Sequence, residues 1–177
     1  MNRIKLSSLA LGLILLTQPT FAFQKGDLAK LKKTKTCVSS TFSSCDLSGA
    51  NLNGLNLSKA NLEGANLQGA KLTSVNLSKA NLSEANLKGA KLVKVNLNQA
   101  QLKDAILEGT SWINVSCDKC NLSDSKFSPL VLKGVSLKGA IFKDVDLSKV
   151  DFKMTNLTGA TGIKEGPCVP GSFGACK

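Results

Sequence analysis

Cys117 and Cys120 have the C-x-x-C spacing that supports thiol–disulfide exchange when it lies at a helix N-terminus, where the helix dipole lowers the pKa of a thiol. In this chain the motif falls within a run of short repeats whose leucines mark an apolar interior. We therefore expect a structural disulfide or a buried thiol pair. A redox protein that uses Cys117 and Cys120 is the alternative. A zinc site is disfavoured, because zinc takes four ligands and this motif supplies only two cysteines.

The chain contains no histidine and no tyrosine, which removes the commonest general base and the usual catalytic triads. Acidic residues recur every 20 positions and would stack about 5 Å apart along one edge of the fold. We expect this acidic column to be a solvated charge ladder; its members are Glu84, Asp104, Asp124 and Asp144. The sequence therefore predicts a non-enzymatic protein with no cofactor and no metal site.

A five-residue repeat that runs without insertion through residues 45–159 positions these side chains in 23 pentapeptides. The central residue of each pentapeptide, which we call the anchor, is Leu in 18 of them. The residue two positions before the anchor is Ala in ten and Val in six. Two apolar sites in every five fit neither a helix nor a strand. They fit a coil that turns a corner every five residues and points two side chains inward.

A longer period of 20 residues is superimposed on the repeat. It produces an inward column of β-branched residues, which are Val75, Val95, Val115 and Val135. It also produces an outward lysine column, which is Lys59, Lys79 and Lys119 with one interruption at Gln99. Four pentapeptides per coil predict a square cross-section.

The segments ANLEGANLQGA (60–70) and SKANLSEANLKGA (78–90) resemble the pentapeptide-repeat family, and the resemblance covers about two-thirds of the chain. It implies an all-β fold, a right-handed quadrilateral β-helix with Leu or Phe ladders inside and small residues at its corners. About six coils at the spacing of stacked strands would form a rod about 28 Å long. Trp112 and Cys117 depart from the usual anchor residue. Because an indole exceeds the volume of a leucine site, we expect a bulge or an adjusted coil near residues 111–120, without loss of register.

Residues 1–22 are typical of a secretory signal, since Arg3 and Lys5 precede an apolar stretch and a small residue suits cleavage between Ala22 and Phe23. We therefore predict an exported protein, periplasmic or secreted, without a transmembrane span after signal removal. The rest divides into an N-terminal cap (23–44), the β-helix (45–159) and a C-terminal capping loop (160–177). The segment Gly26–Lys33 predicts a short helix within the cap.

Six cysteines in an exported chain suggest disulfides, and they allow 15 pairings. The two ends of a rod lie too far apart for a bridge between them. We favour local pairs, with one pair at each end and one in the wall. These pairs are Cys37 with Cys45, Cys117 with Cys120, and Cys168 with Cys176.

Apolar residues at outward positions indicate an interaction patch. Its members, with a basic margin, are Val93, Ile113, Val131, Lys71 and Lys91. The formal charge of the chain is +11, which favours an acidic or anionic partner. The sequence therefore predicts an exported scaffold or protein-interaction module that binds an unidentified protein, an anionic envelope component or a second copy of itself.

The family resemblance also implies a rival role, because some pentapeptide-repeat proteins mimic DNA and bind DNA gyrase. That role belongs to acidic cytoplasmic proteins, so the basic charge and the export signal argue against it. Direct binding of nucleic acid is disfavoured as well, since the aromatic residues of the repeats occupy inward sites and cannot stack on bases.

Overall fold

A computed structural model of the chain describes residues 25–37, 45–127, 130–152 and 154–163. The predicted signal with its cleavage site at Ala22 and Phe23 lies outside the described residues. The predicted pair Cys168 and Cys176 lies outside them as well.

The described chain forms a β-helix, as the repeat predicts. One helix, α1 (Lys25–Thr34), precedes five short strands, which are β1 (Lys71–Thr73), β2 (Lys91–Val93), β3 (Ser111–Ile113), β4 (Leu130–Lys133) and β5 (Val150–Asp151). The strands form one parallel sheet in chain order. Leu72 pairs with Leu92, and Leu92 pairs with Trp112, so each step along the sheet is 20 residues. Parallel bridges with the same step, such as Asn81 to Gln101, connect the coils elsewhere.

Four pentapeptides therefore complete one coil, and each contributes to one of four walls. We number the walls in chain order and assign each pentapeptide to the wall of its anchor. Wall 1 carries the strands and has anchors 52, 72, 92, 112, 132 and 152. Wall 2 has anchors 57, 77, 97, 117, 137 and 157, wall 3 has 62, 82, 102, 122 and 142, and wall 4 has 47, 67, 87, 107, 127 and 147. Wall 1 consequently lies opposite wall 3.

The interior consists of the two inward columns of each wall. Anchors such as Leu62 and Leu82 are fully buried, and so are the small residues two positions before them, such as Ala60 and Ala80. At most corners the N–H of the next small residue donates to the anchor carbonyl, as Ala80 does to Leu77 at 3.0 Å. The asparagine before an anchor accepts a hydrogen bond from the N–H two residues later, which stabilises the turn.

Trp112 fits into this interior without the bulge that its size led us to expect. It is fully buried, and β3 pairs residue for residue with β2 and β4. No bulge forms in β3, and the retained register is confirmed, while an adjusted coil near residues 111–120 stays a prediction. The next anchor in the same coil is Cys117, whose side chain is smaller than the usual leucine. The indole also packs against Phe127, with ring centroids 6.4 Å apart.

Helix α1 covers the first coil, and it confirms the short helix expected over residues 26–33. Leu31 is fully buried against the core, and Leu28 packs beside it. Beyond the helix, Thr36 forms a parallel bridge with Asn61, a step of 25 residues where every other bridge has 20. The helix and the segment after it therefore take the place of a preceding coil at this end.

Candidate interaction surface and cysteine pairs

Two of the three predicted cysteine pairs fall within the described residues, and in each pair the two cysteines lie close together in space. Cys37 and Cys45 have Cα atoms 5.4 Å apart, and Cys117 and Cys120 have Cα atoms 5.3 Å apart. Both distances lie within the range of disulfides. All four residues are buried. The local pairing that we favoured is therefore geometrically feasible for these two pairs.

The environment of Cys117 and Cys120 does not suit thiol exchange with another protein. Both residues are 0% exposed, and they flank a corner of wall 2, not a helix N-terminus. The intervening Asp118 is held in place on both sides. Its N–H donates to Asn98 Oδ1 at 2.9 Å, and its carboxylate accepts from the N–H of Lys138 at 3.2 Å. The motif consequently has the character of a buried structural pair.

The five residues of the predicted patch all lie on wall 1, in two separate columns. Val93 pairs directly with Ile113, and Ile113 pairs with Lys133. Val131 belongs to the other column, together with Lys71 and Lys91. Val131 is 61% exposed, whereas Val93 and Ile113 are half-buried. The apolar surface is therefore a diagonal of three side chains with Lys71 and Lys91 exposed at one end.

Charge is distributed unequally among the walls, which the sequence reasoning did not detect. Among the described residues, the balance of Lys against Asp and Glu is +3 on wall 1, +3 on wall 2, −3 on wall 3 and zero on wall 4. The acids of wall 3 are Glu63, Glu84, Asp104, Asp124 and Asp144. The charge of each wall could have been counted once the columns were known. The wall with the apolar patch is thus basic, and the opposite wall is acidic.

The acidic residues influence a lysine among them. Lys103 lies 3.1 Å from Asp104 as an ion pair. The hydrogen bond and charge of Asp104, with the charges of Asp124 and Glu84, raise the pKa of Lys103. The carboxylates along this wall therefore act together on a shared neighbour.

Many of the charged residues at corners occupy left-handed backbone. The residue two positions after most anchors has a φ near +60°, for example Lys79 (60°), Glu84 (60°) and Lys119 (57°). Glycine adopts this conformation freely, whereas a residue with a side chain is strained there by about 1 kcal/mol. The corner between walls 4 and 1 does use glycine, at Gly49, Gly69, Gly89 and Gly109. The corners on either side of wall 3 mostly place charged side chains at this position, with Gly64, Gln99, Gly139 and Gly159 as the exceptions.

No other candidate site emerges from the part of the chain that the structure describes. Within it, no group of three or more Cys, Asp or Glu side chains is arranged to hold a metal ion. No helix there is long and apolar enough to cross a membrane. The surfaces of the walls are therefore the features on which a function can be argued.

The family model described as Pentapeptide repeats matches the chain in 8 copies, over residues 40–78, 80–111 and 130–161. The chain belongs to the pentapeptide repeat family. No curated protein matches this pentapeptide repeat protein significantly.

Solved structures similar to this pentapeptide repeat protein include Rfr23 from the cyanobacterium Cyanothece 51142. Rfr23 is 26% identical with a TM-score of 0.47, over 76% of this chain and 92% of that chain. A pentapeptide repeat protein of the Arabidopsis thaliana thylakoid lumen is 23% identical with a TM-score of 0.45, over 59% and 69% of the two chains. Trypsin-treated QnrB1, a plasmid-mediated fluoroquinolone resistance protein, is 16% identical with a TM-score of 0.34, over 64% and 76%. Similarity at this level assigns no function.

Proposed function

We propose that this pentapeptide repeat protein is an exported, non-enzymatic interaction module that binds an acidic protein surface through wall 1. The observation that carries the proposal is the combination of an apolar diagonal with exposed lysines on one flat wall. Val131 offers apolar surface, and Lys71 and Lys91 offer positive charge in the same column. Charge complementarity of this kind directs association and selects partners.

Export is supported by the sequence. Residues 1–22 have the pattern of a secretory signal. Buried cysteine pairs suit an oxidising compartment, where disulfides persist. Disulfides between Cys37 and Cys45 and between Cys117 and Cys120 belong to the same proposal.

The role of a DNA mimic is poorly supported. Such a protein needs an acidic surface that resembles a duplex, and walls 1 and 2 of this chain are basic. The thiol redox alternative is also weak, because a thiolate must reach its substrate and Cys117 and Cys120 are both fully buried.

Capture of bound proteins from the exported fraction, with and without Val93→Asp plus Ile113→Asp, tests the proposal. Both substitutions place carboxylates in the apolar diagonal, so they should abolish capture of acidic partners. The matched control is Gln68→Asp plus Ile106→Asp on wall 4, which makes the same change in charge away from the patch. Identical captured proteins from the wild type and the wall 1 variant would remove the patch from the proposal.

A further inference from the structure

Wall 3 is bordered by two edges of opposite charge. The edge where the chain enters from wall 2, which we call the basic edge, carries Lys59, Lys79 and Lys119. The edge where the chain leaves towards wall 4, which we call the acidic edge, carries Glu84, Asp104, Asp124 and Asp144. All of these residues are exposed.

Each edge is a ladder that runs across successive coils. The acidic ladder has a carboxylate in four consecutive coils, whereas Gln99 separates Lys79 from Lys119 in the basic ladder. The N–H of Lys59 donates to Ser78 O, and the N–H of Lys79 donates to Asn98 O, both at 2.9 Å. On the acidic edge, the N–H of Glu84 donates to Lys103 O at 2.8 Å. Residues in adjacent coils are therefore about 4.8 Å apart. Like charges at this spacing repel each other, and an opposite ladder from a second molecule would relieve both edges.

The two edges differ from the other corners of the rod. The corner between walls 4 and 1 uses Gly49, Gly69, Gly89 and Gly109 at the same turn position. Between walls 1 and 2 the turn residues alternate in type, with Gly54, Ser74, Lys94 and Asn114. Wall 3 is therefore the wall of the described chain that has a basic ladder along one side and an acidic ladder along the other.

We propose that two copies of this chain pair face to face through wall 3, with their rods parallel and related by a twofold axis that runs along the rods. This rotation places the basic edge of each copy against the acidic edge of the other. It also keeps every coil level with its own counterpart. Lys79 then faces Glu84 of the second copy, and Lys119 faces Asp124 of the second copy.

The opposite orientation is excluded by the same charges. A twofold axis across the rods would make them antiparallel and would place lysines against lysines and acids against acids. A closed twofold pair also uses the same surface on both molecules, so it ends at a dimer. The pairing leaves wall 1 exposed on both outer sides, and it does not depend on the function proposed for that wall.

The surface between the edges is flat and polar, with Asn81, Gln101 and Asn121 in one column. Asn81 Nδ2 already donates to Glu63 Oε2 at 2.9 Å within the molecule. Such a contact gains most of its strength from the ladders, so it should be weak and sensitive to salt. Dimer formation should be strongest at low ionic strength and should disappear at about 1 M salt, where the Debye length is about 3 Å.

Exchange of the charges between the two edges tests the proposal. Sedimentation equilibrium measures the dissociation constant of the dimer, with the protein purified in the form in which the cell produces it. One variant reverses the basic edge (Lys79→Glu plus Lys119→Glu), another reverses the acidic edge (Glu84→Lys plus Asp124→Lys), and a third combines all four changes. Lys and Glu both already occupy this left-handed turn position in the chain. Circular dichroism reports whether each variant remains folded.

Each single-edge variant should associate at least about tenfold more weakly, because like charges then face each other. The combined variant exchanges the ladders and keeps the net charge of the wild type, so it should recover association to within about threefold of the wild type. A wild type that remains monomeric at high concentration and low salt would overturn the dimer. So would a combined variant that stays as weak as the single-edge variants.

Carbodiimide cross-linking of an equal mixture of ¹⁴N- and ¹⁵N-labelled protein tests the orientation. Cross-links between differently labelled chains should join Lys79 to Glu84 and Lys119 to Asp124. Mixed-label cross-links between distant coils, such as Lys59 to Asp144, would contradict the parallel arrangement. Binding of an acidic partner through wall 1 is measured separately, so either proposal can fail while the other survives.

Discussion

The carboxylate of Asp27 accepts a hydrogen bond from the backbone N–H of Asp46 at 2.9 Å, which connects helix α1 to the first coil. The N–H of Asp46 lies on the terminal edge of the β-helix, and an open strand edge is prone to pair with other chains. Asp27 therefore satisfies a backbone donor that could otherwise hydrogen-bond to a strand of another chain.

Asp27→Ala should lower the free energy of unfolding by about 1–2 kcal/mol, because it leaves the Asp46 N–H without its acceptor. It should also accelerate hydrogen exchange at Asp46, measured by NMR, ahead of exchange in the central coils. Asp27→Glu is the control, since it keeps a negative charge in the first turn of the helix and changes only the reach of the carboxylate. Unchanged exchange at Asp46 in the Ala variant would contradict the capping role.

Trp112 should tolerate replacement by Phe much better than replacement by Ala. Its Nε1 is buried and has no hydrogen-bond partner among the described residues, so Phe removes an unsatisfied donor while it keeps most of the ring volume. Trp112→Ala should cost about 3–5 kcal/mol through the cavity that it leaves, and Trp112→Phe less than about 1.5 kcal/mol. Urea denaturation measures both values. Equal losses for the two variants would mean that the indole N–H has a partner.

Glycine should stabilise a corner and destabilise a strand. Lys79 has a φ of 60°, so Lys79→Gly should leave the free energy of unfolding unchanged or raise it by up to about 1 kcal/mol. Lys71 is the first residue of β1, where Lys71→Gly should lower the free energy of unfolding by about 0.5–1 kcal/mol. Both changes remove the same exposed lysine side chain, so they control for charge. If the two variants lose the same stability in thermal denaturation, backbone strain at the corner is not significant.

The four described cysteines should resist alkylation in the native protein and also after unfolding without a reductant. Peptide mass spectrometry after iodoacetamide treatment measures this at Cys37, Cys45, Cys117 and Cys120. Removal of the wall pair by Cys117→Ala plus Cys120→Ala should cost about 2 kcal/mol, since the bridge closes a short loop. Labelling of Cys117 and Cys120 that appears on unfolding alone would identify a buried thiol pair instead of a disulfide.

Asp146 should titrate below its ordinary pKa. Hydrogen bonds from the hydroxyl and the N–H of Ser148 lower the pKa of this carboxyl, with the N–H at 2.9 Å from Oδ1. A lowered folded-state pKa contributes stability above the unfolded-state value near 3.8, and this contribution is lost as the pH falls through the folded-state pKa. Carboxyl NMR should show the titration of Asp146 moving upwards in Ser148→Ala. No movement would remove Ser148 as the cause.

The sequence predicts the interior well because each inward site repeats every five residues. Leu and Ala recur at fixed offsets, and a shift of the chain by one residue would move these side chains to the surface. The same reasoning placed Val131 beside Val93 and Ile113 because all three lie near anchors of one wall. Positions before and after an anchor belong to different columns, so Val131 stacks with Lys91 and Ser111 instead. At Trp112 the register is kept without a bulge, and the indole packs against Phe127, a contact that the repeat alone does not reveal.

The charge of each wall was harder to predict because it depends on residues that are distant in sequence. Lys79 and Glu84 are five residues apart, yet they lie at opposite edges of wall 3. Their positions on opposite edges depend on how the chain folds into walls and corners, which the local sequence does not show. The pairing of Thr36 with Asn61 could not be read from the repeat either, because residues before Cys45 do not follow it.

The uniform step of 20 residues between paired coils means that this molecule can change length only in whole turns. An insertion or deletion of 20 residues would preserve every column, whereas one of five would rotate all later side chains onto the next wall. Gene duplication or engineering within residues 71–110 could therefore extend the surface in increments of about 4.8 Å without redesigning either terminus. The length of the rod is therefore set by the number of 20-residue coils in the sequence.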